Sequence, residues 1–411
     1  MNDELAPYEL IGSMREDMIR FAEEILSVPA IAPESGGQGE MEKVDLIRDL
    51  ISEWGFDSIE DYNAPDERVP AGERPNLLLT INGREPDLPP IWVFVHTDVV
   101  PPGDLDKWSG DPWKLRIDGD KMIARGVEDN GQDMISALFA AKAIMDSGSR
   151  PRRDVKLFLV ADEEVGSAKG MHYLIEEHRD LFTPDDLFIV PDAGSEDGVM
   201  VEVAEKSILW LRIETLGRTA HASDPHKGVN ANEAAMRFIT GLLDALRKEY
   251  SKNNPLFDPP YSTFVPTKRK ANVPNVNSIP GEDVSYIDCR ILPEYDPDSV
   301  MDFIREVAKA AEKEHGVHIE LTIPQFEKAA PPTPPDHPIV GMISEAVNEV
   351  YGVKAEPKGI GGGTCAAILR SGGYPAAVWA RLADSAHMPD EFANLSSYVG
   401  DAKVFSRVFM M

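Results

Sequence analysis

Ala161-Asp162-Glu163-Glu164-Val165-Gly166 closes the apolar run Val155-Lys156-Leu157-Phe158-Leu159-Val160. A run of that length, β-branched at both ends, reads as a buried strand. Three consecutive carboxylates at its end repel one another unless a cation sits among them. Adjacent residues leaving a strand point to different sides, so Glu163 and Glu164 can take different work, one on a cation and the other on the water activated there. In isolation the stretch reads equally as a solvated acidic turn, because carboxylates are mostly surface residues. The rest of the chain decides between the two.

Other apolar strands end in the same kind of residue. His96 follows Ile91 to Val95, Asp192 follows Leu187 to Val190, and His387 stands seven residues past the strand predicted over Ala376 to Ala380. Asp129 follows the strand-like Lys121 to Ala124. In open α/β sheets ligands bind beyond the carboxyl ends of strands, so these side chains can converge. The set holds imidazole and carboxylate but no thiolate, which suits zinc, or manganese or cobalt in a harder setting. Two imidazoles shared among three carboxylates would serve two ions bridged by one of them. In His96-Thr97-Asp98 the Asp98 carboxylate can reach the distal imidazole nitrogen and fix its tautomer.

The 411 residues exceed one ordinary core, and 42% hydrophobic residues are ample for burial. A formal charge of −30 argues against nucleic acid or an anionic membrane surface as partner. Two cysteines, Cys289 and Cys365, form no CxxC spacing and fit a reducing compartment. Met1 to Leu5 lacks the basic residues and apolar core of a leader, so the cytoplasm is the expected location.

Helical spacing predicts helices over Pro7 to Val28 and Met41 to Trp54, after which strand and helix alternate as in an α/β domain. From about Lys206 the character changes to strands at Ile208 to Thr215, Val284 to Ile291 and Ile319 to Ile323, with helices at Asn230 to Tyr250 and Ser299 to His315. Pro324 and the cluster Pro331-Pro332-Thr333-Pro334-Pro335 mark the exit. The expected fold is an α/β domain of residues 1–205 and 326–411, with a mixed sheet and helices on both faces. A smaller α+β unit, 206–325, is inserted in it.

Together, His96-Thr97-Asp98, Arg125-Gly126-x-x-Asp129, Asp162-Glu163-Glu164-x-Gly166, Pro191-Asp192 and Ala386-His387-x-Pro389-x-Glu391 resemble, in order and spacing, the dizinc metallohydrolases. That family includes aminoacylase-1, glutamate carboxypeptidase, acetylornithine deacetylase, succinyl-diaminopimelate desuccinylase and several dipeptidases. The resemblance covers nearly the whole chain. It implies a zinc-peptidase-like catalytic domain and a ferredoxin-like lid through which a homodimer forms. It also implies two divalent ions, zinc first, with cobalt or manganese as alternatives.

By the same resemblance Asp129 bridges the ions, His96 and Asp192 hold one, and Glu164 and His387 hold the other. Glu163 would be the general base, Asp98 the carboxylate that orients His96, and Asp129-Asn130 a cis peptide. Gly217 to Ser223 resembles the motif whose histidine, here His221, reaches the oxyanion from a partner subunit. Asn277 and Arg290 resemble lid residues that bind substrate, Arg290 through its bidentate fork. On its own terms, Arg290 at a strand end equally pairs with Asp288 or Glu294. The run Gly361, Gly362, Gly363 and Thr364 lacks the Gly-Lys-Ser/Thr of a phosphate loop, and its relatives meet a substrate carboxylate with backbone N–H groups. The implied activity is a metal-dependent amidohydrolase acting on an N-acyl amino acid or short peptide with a free carboxylate, as a desuccinylase or deacetylase. The alternatives are a di- or carboxypeptidase of the same family, and a non-catalytic metal-binding relative.

Overall fold

The computed structural model describes residues 6–411; the stretch Met1 to Leu5, where no leader is expected, lies outside the described residues. The chain divides into two compact units. One is built from the residues up to Val203 with Thr333–Lys358 and Thr364–Met411, and the other from Ala204–Pro332 with Gly359–Gly363.

In the first unit six strands form one mixed sheet. Their order is Ser58–Asp61, Leu77–Ile81, Val155–Val160, Ile91–His96, Leu187–Ile189, Ala376–Ala377. The central pairs are parallel, with His96 opposite Val160 and Val93 opposite Ile189, while Leu77–Ile81 runs antiparallel to Val155–Val160. Both faces of the centre are covered, so these strands read as continuous apolar runs and not as alternation. One face carries Trp92, Phe94, Phe158 and Phe188, all buried, against Phe182, Leu369 and Tyr374. Helix Gly131–Asp146 is buried along almost its whole length, because helix Leu395–Met410 packs against it. A helix apolar on every side needs cover on every side.

The second unit has strands Ser207–Leu216, Thr263–Arg269, Glu282–Ile291 and His318–Glu327 in one antiparallel sheet, with helices Ala231–Glu249 and Pro297–His315. Numbered by chain position, the strands lie in the order fourth, first, third, second. With one helix after the first strand and one after the third, that is the ferredoxin-like arrangement. Leu209, Leu211 and Ile213 alternate inward to meet Phe238, Leu242, Leu246 and Ile304, whereas Trp210 between them is exposed. The Asn230 side chain caps the first helix by accepting from the Glu233 N–H at 3.1 Å.

Several expectations change. The single helix over Pro7 to Val28 is two, Pro7–Ile11 and Arg15–Leu26. Gly12-Ser13 interrupts it, and the Ser13 hydroxyl bonds back to the Leu10 carbonyl. Thr263–Arg269 escaped prediction because it is a largely exposed strand at the sheet edge with Pro266 inside it. The closing helix Leu395–Met410 also escaped, since buried Ser397, Asp401 and Ser406 break its apolar period. No helix among the described residues is long and apolar enough to cross a membrane.

Asp401 sits in the buried seam of that helix. It accepts from the Tyr351 hydroxyl at 2.6 Å, Gln132 Nε2 at 2.8 Å and the Arg381 N–H at 3.2 Å. Burial nevertheless pushes its carboxyl from 3.8 up to about 7. Between those values the folded chain keeps a proton that the unfolded chain has lost. The stability contribution of this group is therefore complete at pH below the unfolded value and falls as pH rises through the window. Urea melts of wild type and Asp401→Asn from pH 4 to 8 test this. The stability of wild type minus that of the variant should fall up to pH about 7 and then level off; a flat difference would contradict it.

Candidate metal centre

Where strand Val155–Val160 ends, the chain does not run on as a strand. Asp162 takes the left-handed conformation at φ 70°, Glu163–Val165 form one 3-10 turn, and Gly166 leaves it at φ 102°. The turn presents both backbone N–H groups of the carboxylate pair to Asp98: Glu163 N donates to Oδ1 at 3.1 Å and Glu164 N to Oδ2 at 3.0 Å. The same Asp98 Oδ1 lies 3.4 Å from His96 Nδ1, while the Asp98 backbone carbonyl is nearer, at 3.1 Å. The tautomer of His96 is thus fixed by the main chain as well as by the carboxylate expected from His-x-Asp. Non-glycine residues with positive φ are confined to Asp162, Ser167, Asp384, His387 and Asp390 among the described residues. All lie in the two loops that deliver Glu163, Glu164 and His387, where tolerated backbone strain marks a functional constraint.

The convergence inferred from the strand ends is present. His96 Nε2 is 2.8 Å from Asp129 Oδ1 and 3.4 Å from Asp192 Oδ1. His387 Nε2 is 3.0 Å from Asp129 Oδ2 and 3.1 Å from Glu164 Oε2. His96 and Glu164 are buried, and His387, with 55% of its side chain exposed, faces outward. Atoms of Glu163, Asp192 and Cys365 form a second cluster within 4.8 Å. The Asp129-Asn130 peptide is cis, and the Asn130 amide donates to the Pro191 carbonyl at 2.7 Å, tying the Asp129 loop to the Asp192 loop.

The electrostatics call for cations. Burial pushes Glu163, Glu164 and Asp192 above the usual carboxylate range, and Asp192 adds to the effect at Glu163. Burial alone would lower His96, but contact with Asp129, Asp192 and Asp98 holds it well above its ordinary value. Asp129 and Glu164 likewise raise His387 to about 10. Burial would raise Asp129, yet the two imidazoles hold it down. Glu164 Oε1 is buried with no hydrogen-bond partner. An orphaned carboxylate oxygen among imidazoles and further carboxylates is a donor set that fits divalent metal.

Residues given no role from the sequence hold this set in place. Glu391 accepts from Arg125 Nη1 at 2.6 Å and from the N–H groups of Gly126, Glu128 and Asp129 at 3.0, 2.9 and 3.1 Å. Glu128 in turn accepts from the Ser385 N–H at 2.6 Å, its hydroxyl at 2.8 Å and the Ala383 N–H. Behind the turn, buried Arg74 pairs with Glu40 and, at 2.9 Å, with Asp162. Lys43 Nζ donates to the Thr97 carbonyl at 3.0 Å. Glu391 closes the motif that carries His387, but nothing in its spacing shows that it gathers main-chain donors.

The remaining expected residues belong to the second unit, apart from Thr364. His221 is exposed and its Nδ1 bonds the Ser223 hydroxyl at 2.8 Å. Asn277 accepts through its main chain from the Ala222 N–H at 2.8 Å. Arg290 forks onto Asp288 at 2.9 and 3.1 Å and donates to the Gly361 carbonyl at 2.7 Å. Its pairing with Asp288 is the structural alternative raised from the sequence. A Cβ on Gly361 or Gly362 would meet nothing, while Gly363 lies against Glu327. Thr364 belongs to the first unit and its hydroxyl accepts from the Ala366 N–H at 3.2 Å.

A mixed α/β sheet with imidazoles and carboxylates gathered beyond its strand ends defines a metal-dependent hydrolase. Residues 92–411 match peptidase family M20/M25/M40. The chain is 35% identical to an uncharacterized metallohydrolase of Methanococcus maripaludis over 96% of this chain and 98% of that one. It is 25% identical to a succinyl-diaminopimelate desuccinylase of Roseobacter denitrificans over 95% and 97%. Aminopeptidase PepT of Bacillus cereus shares the fold with a TM-score of 0.74 at 18% identity, covering 96% and 98%. The chain belongs to peptidase family M20/M25/M40 and is a metal-dependent amidohydrolase or peptidase.

If Glu391 sets the Asp129 loop, Glu391→Gln removes a charge and half of the acceptors while keeping the volume. Zinc affinity, measured by competition with a chromophoric chelator, should drop about 10- to 100-fold. Unchanged affinity would mean that Arg125 and the chain hold the loop without it.

Proposed function

We propose that this protein hydrolyses the amide bond of an N-acyl amino acid or short peptide bearing a free carboxylate, using two divalent ions, zinc first. The observation that carries the reading is Asp129, which turns one oxygen to each imidazole, at 2.8 Å from His96 and 3.0 Å from His387. A carboxylate used on both oxygens suits a bridging ligand, with His96 and Asp192 on one side and Glu164 and His387 on the other. Two ions in such a set would lower the pKa of water, polarise the scissile carbonyl and relieve the crowding of carboxylates.

Glu163 lies beside this set without pairing to either imidazole. It accepts the proton of the attacking water and passes it to the amine nitrogen as the C–N bond breaks. Asp98 holds His96 and the Glu163 turn in register. His221, supplied by a partner subunit in a homodimer formed through the 206–325 unit, donates to the oxyanion. Arg290 is already satisfied by Asp288 and Gly361, so it contributes charge and orientation toward a substrate carboxylate together with Asn277 and the N–H groups of Gly361 to Thr364. The free thiols of Cys289 and Cys365 suit work in a reducing cytoplasm.

A desuccinylase or deacetylase reading draws on the 25% identity to a desuccinylase, and a di- or carboxypeptidase is the alternative within the family. The test pairs metal content with turnover on N-succinyl-diaminopimelate, N-acetylornithine, N-acetyl-methionine and a set of dipeptides. Glu163→Ala should keep its metal and lose about 10²- to 10⁴-fold in kcat, the range of a general base. Wild-type turnover in Glu163→Ala would remove Glu163 from the chemistry, and one ion per active chain would remove the bridging role of Asp129.

A further inference from the structure

Cys365 caps helix Ala366–Ser371 and is 5% exposed, packed with Val160, Val190, Met171 and Leu369. Packing alone would be served by alanine or valine. The thiol, however, meets the Glu163 carboxylate, with Sγ 3.5 Å from Oε1 in donor geometry, and Ser167 Oγ lies 3.9 Å from Sγ. Asp98 fixes the Glu163 main chain through its N–H. The side chain has three rotatable bonds beyond that point, and among the described residues Cys365 supplies the side-chain hydrogen bond to its carboxylate.

We infer that Cys365 is a positioning residue: its S–H holds one oxygen of the Glu163 carboxylate, leaving the other oxygen directed at the reacting water. The inference rests on Glu163 as the base. The chemistry of the spot favours a thiol. A lysine or arginine there would hold the carboxylate too, but it would depress its basicity and repel cations in the adjoining set. A thiol is a neutral, weak donor that is also apolar enough to bury among valine and leucine. Ser167, one of the strained left-handed residues at φ 58°, is placed by the same turn that carries Glu163. Donor and acceptor are thus both referenced to that turn.

The test is a set of substitutions in the metal-loaded enzyme. Cys365→Ala and Cys365→Val, the second filling the space without a donor, should lower kcat about tenfold with KM and metal content unchanged, as for loss of a hydrogen bond to a charged group. Cys365→Ser should recover most of that loss. In a Glu163→Gln background Cys365→Ala should cost nothing more, because its effect runs through the carboxylate. Wild-type kcat in Cys365→Ala and Cys365→Val, equal losses in both backgrounds, or no recovery by serine would each overturn the inference. The cobalt-loaded protein gives an independent reading. A thiolate-to-cobalt charge-transfer band lost in Cys365→Ser would make the sulfur a metal ligand, whereas a protonated donor gives no such band. Turnover surviving in Glu163→Gln would instead refute the base assignment itself.

Discussion

Buried carboxylates that accept main-chain N–H groups hold the centre together. Asp98 takes two such bonds from the Glu163-Glu164 turn, Glu391 takes three from the Asp129 loop, and Glu128 takes two from the loop leading to His387. A charge-assisted bond to a backbone amide is stronger than a neutral one and fixes the chain, not merely a side chain. The loops that carry Glu163 and Glu164, Asp129 and His387 are therefore each anchored by a buried acid. The pairing is reciprocal at one point: Glu391 holds the segment that contains Glu128, and Glu128 holds the segment that leads to Glu391. Neither Asp129 nor His387 can shift without moving the other.

That solution concentrates negative charge in a dry interior, which must then be neutralised. Arg125 answers Glu391, and Arg74 answers Glu40 and Asp162 together. Breaking a buried pair by removing one partner is costly because the other charge is left uncompensated, about 3–5 kcal/mol in comparable cases. The buried Lys43 stands among Asp98, Glu40 and Glu391, and burial lowers its pKa to about 8 despite them. On the metal-facing side the protein cations that touch the acids are His96 and His387, both pushed upward by the carboxylates they meet. Protons on those imidazoles satisfy the acids when no better cation is present. Divalent ions do so without occupying the imidazole lone pairs with hydrogen, which is why the donor set suits metal better than protons.

Much of this was legible in the chain because it is local. Val155 to Val160 and Ile91 to Val95 announce buried strands by composition, and the residues next in the chain fall at the carboxyl ends of those strands by topology alone. The Glu163-Glu164 pair, His96 and Asp192 could be assembled on that basis, whereas Asp129 follows a strand of a separate three-stranded sheet and His387 stands ten residues past Ala377, so both depended on the motif spacing. The anchors could not. Glu391 to Gly126, Glu128 to Ser385 and Arg74 to Glu40 join residues far apart in sequence, and no period or spacing encodes such a pairing. The closing helix hid for a related reason: Asp401, Gln132 and Tyr351 form a buried polar seam that makes a core helix look like an irregular segment.

The two kinds of residue differ in how firmly the structure holds them. The anchored set is determined several times over, each loop by an acid, a strand end and a neighbouring loop, so substitution there disturbs the chemistry at once. His221, Arg290 and the Gly361 to Gly363 segment belong to the other unit, where His221 meets Ser223 and Arg290 meets Asp288 and the Gly361 carbonyl. Glycines 361 and 362 have open space where a side chain would stand. Parts held so locally can be altered one residue at a time, while the buried carboxylates keep the side chains around Asp129 in register. The side chains gathered around Asp129 lie in one unit and His221, Arg290 and the Gly361 to Gly363 segment in the other, under different degrees of physical constraint.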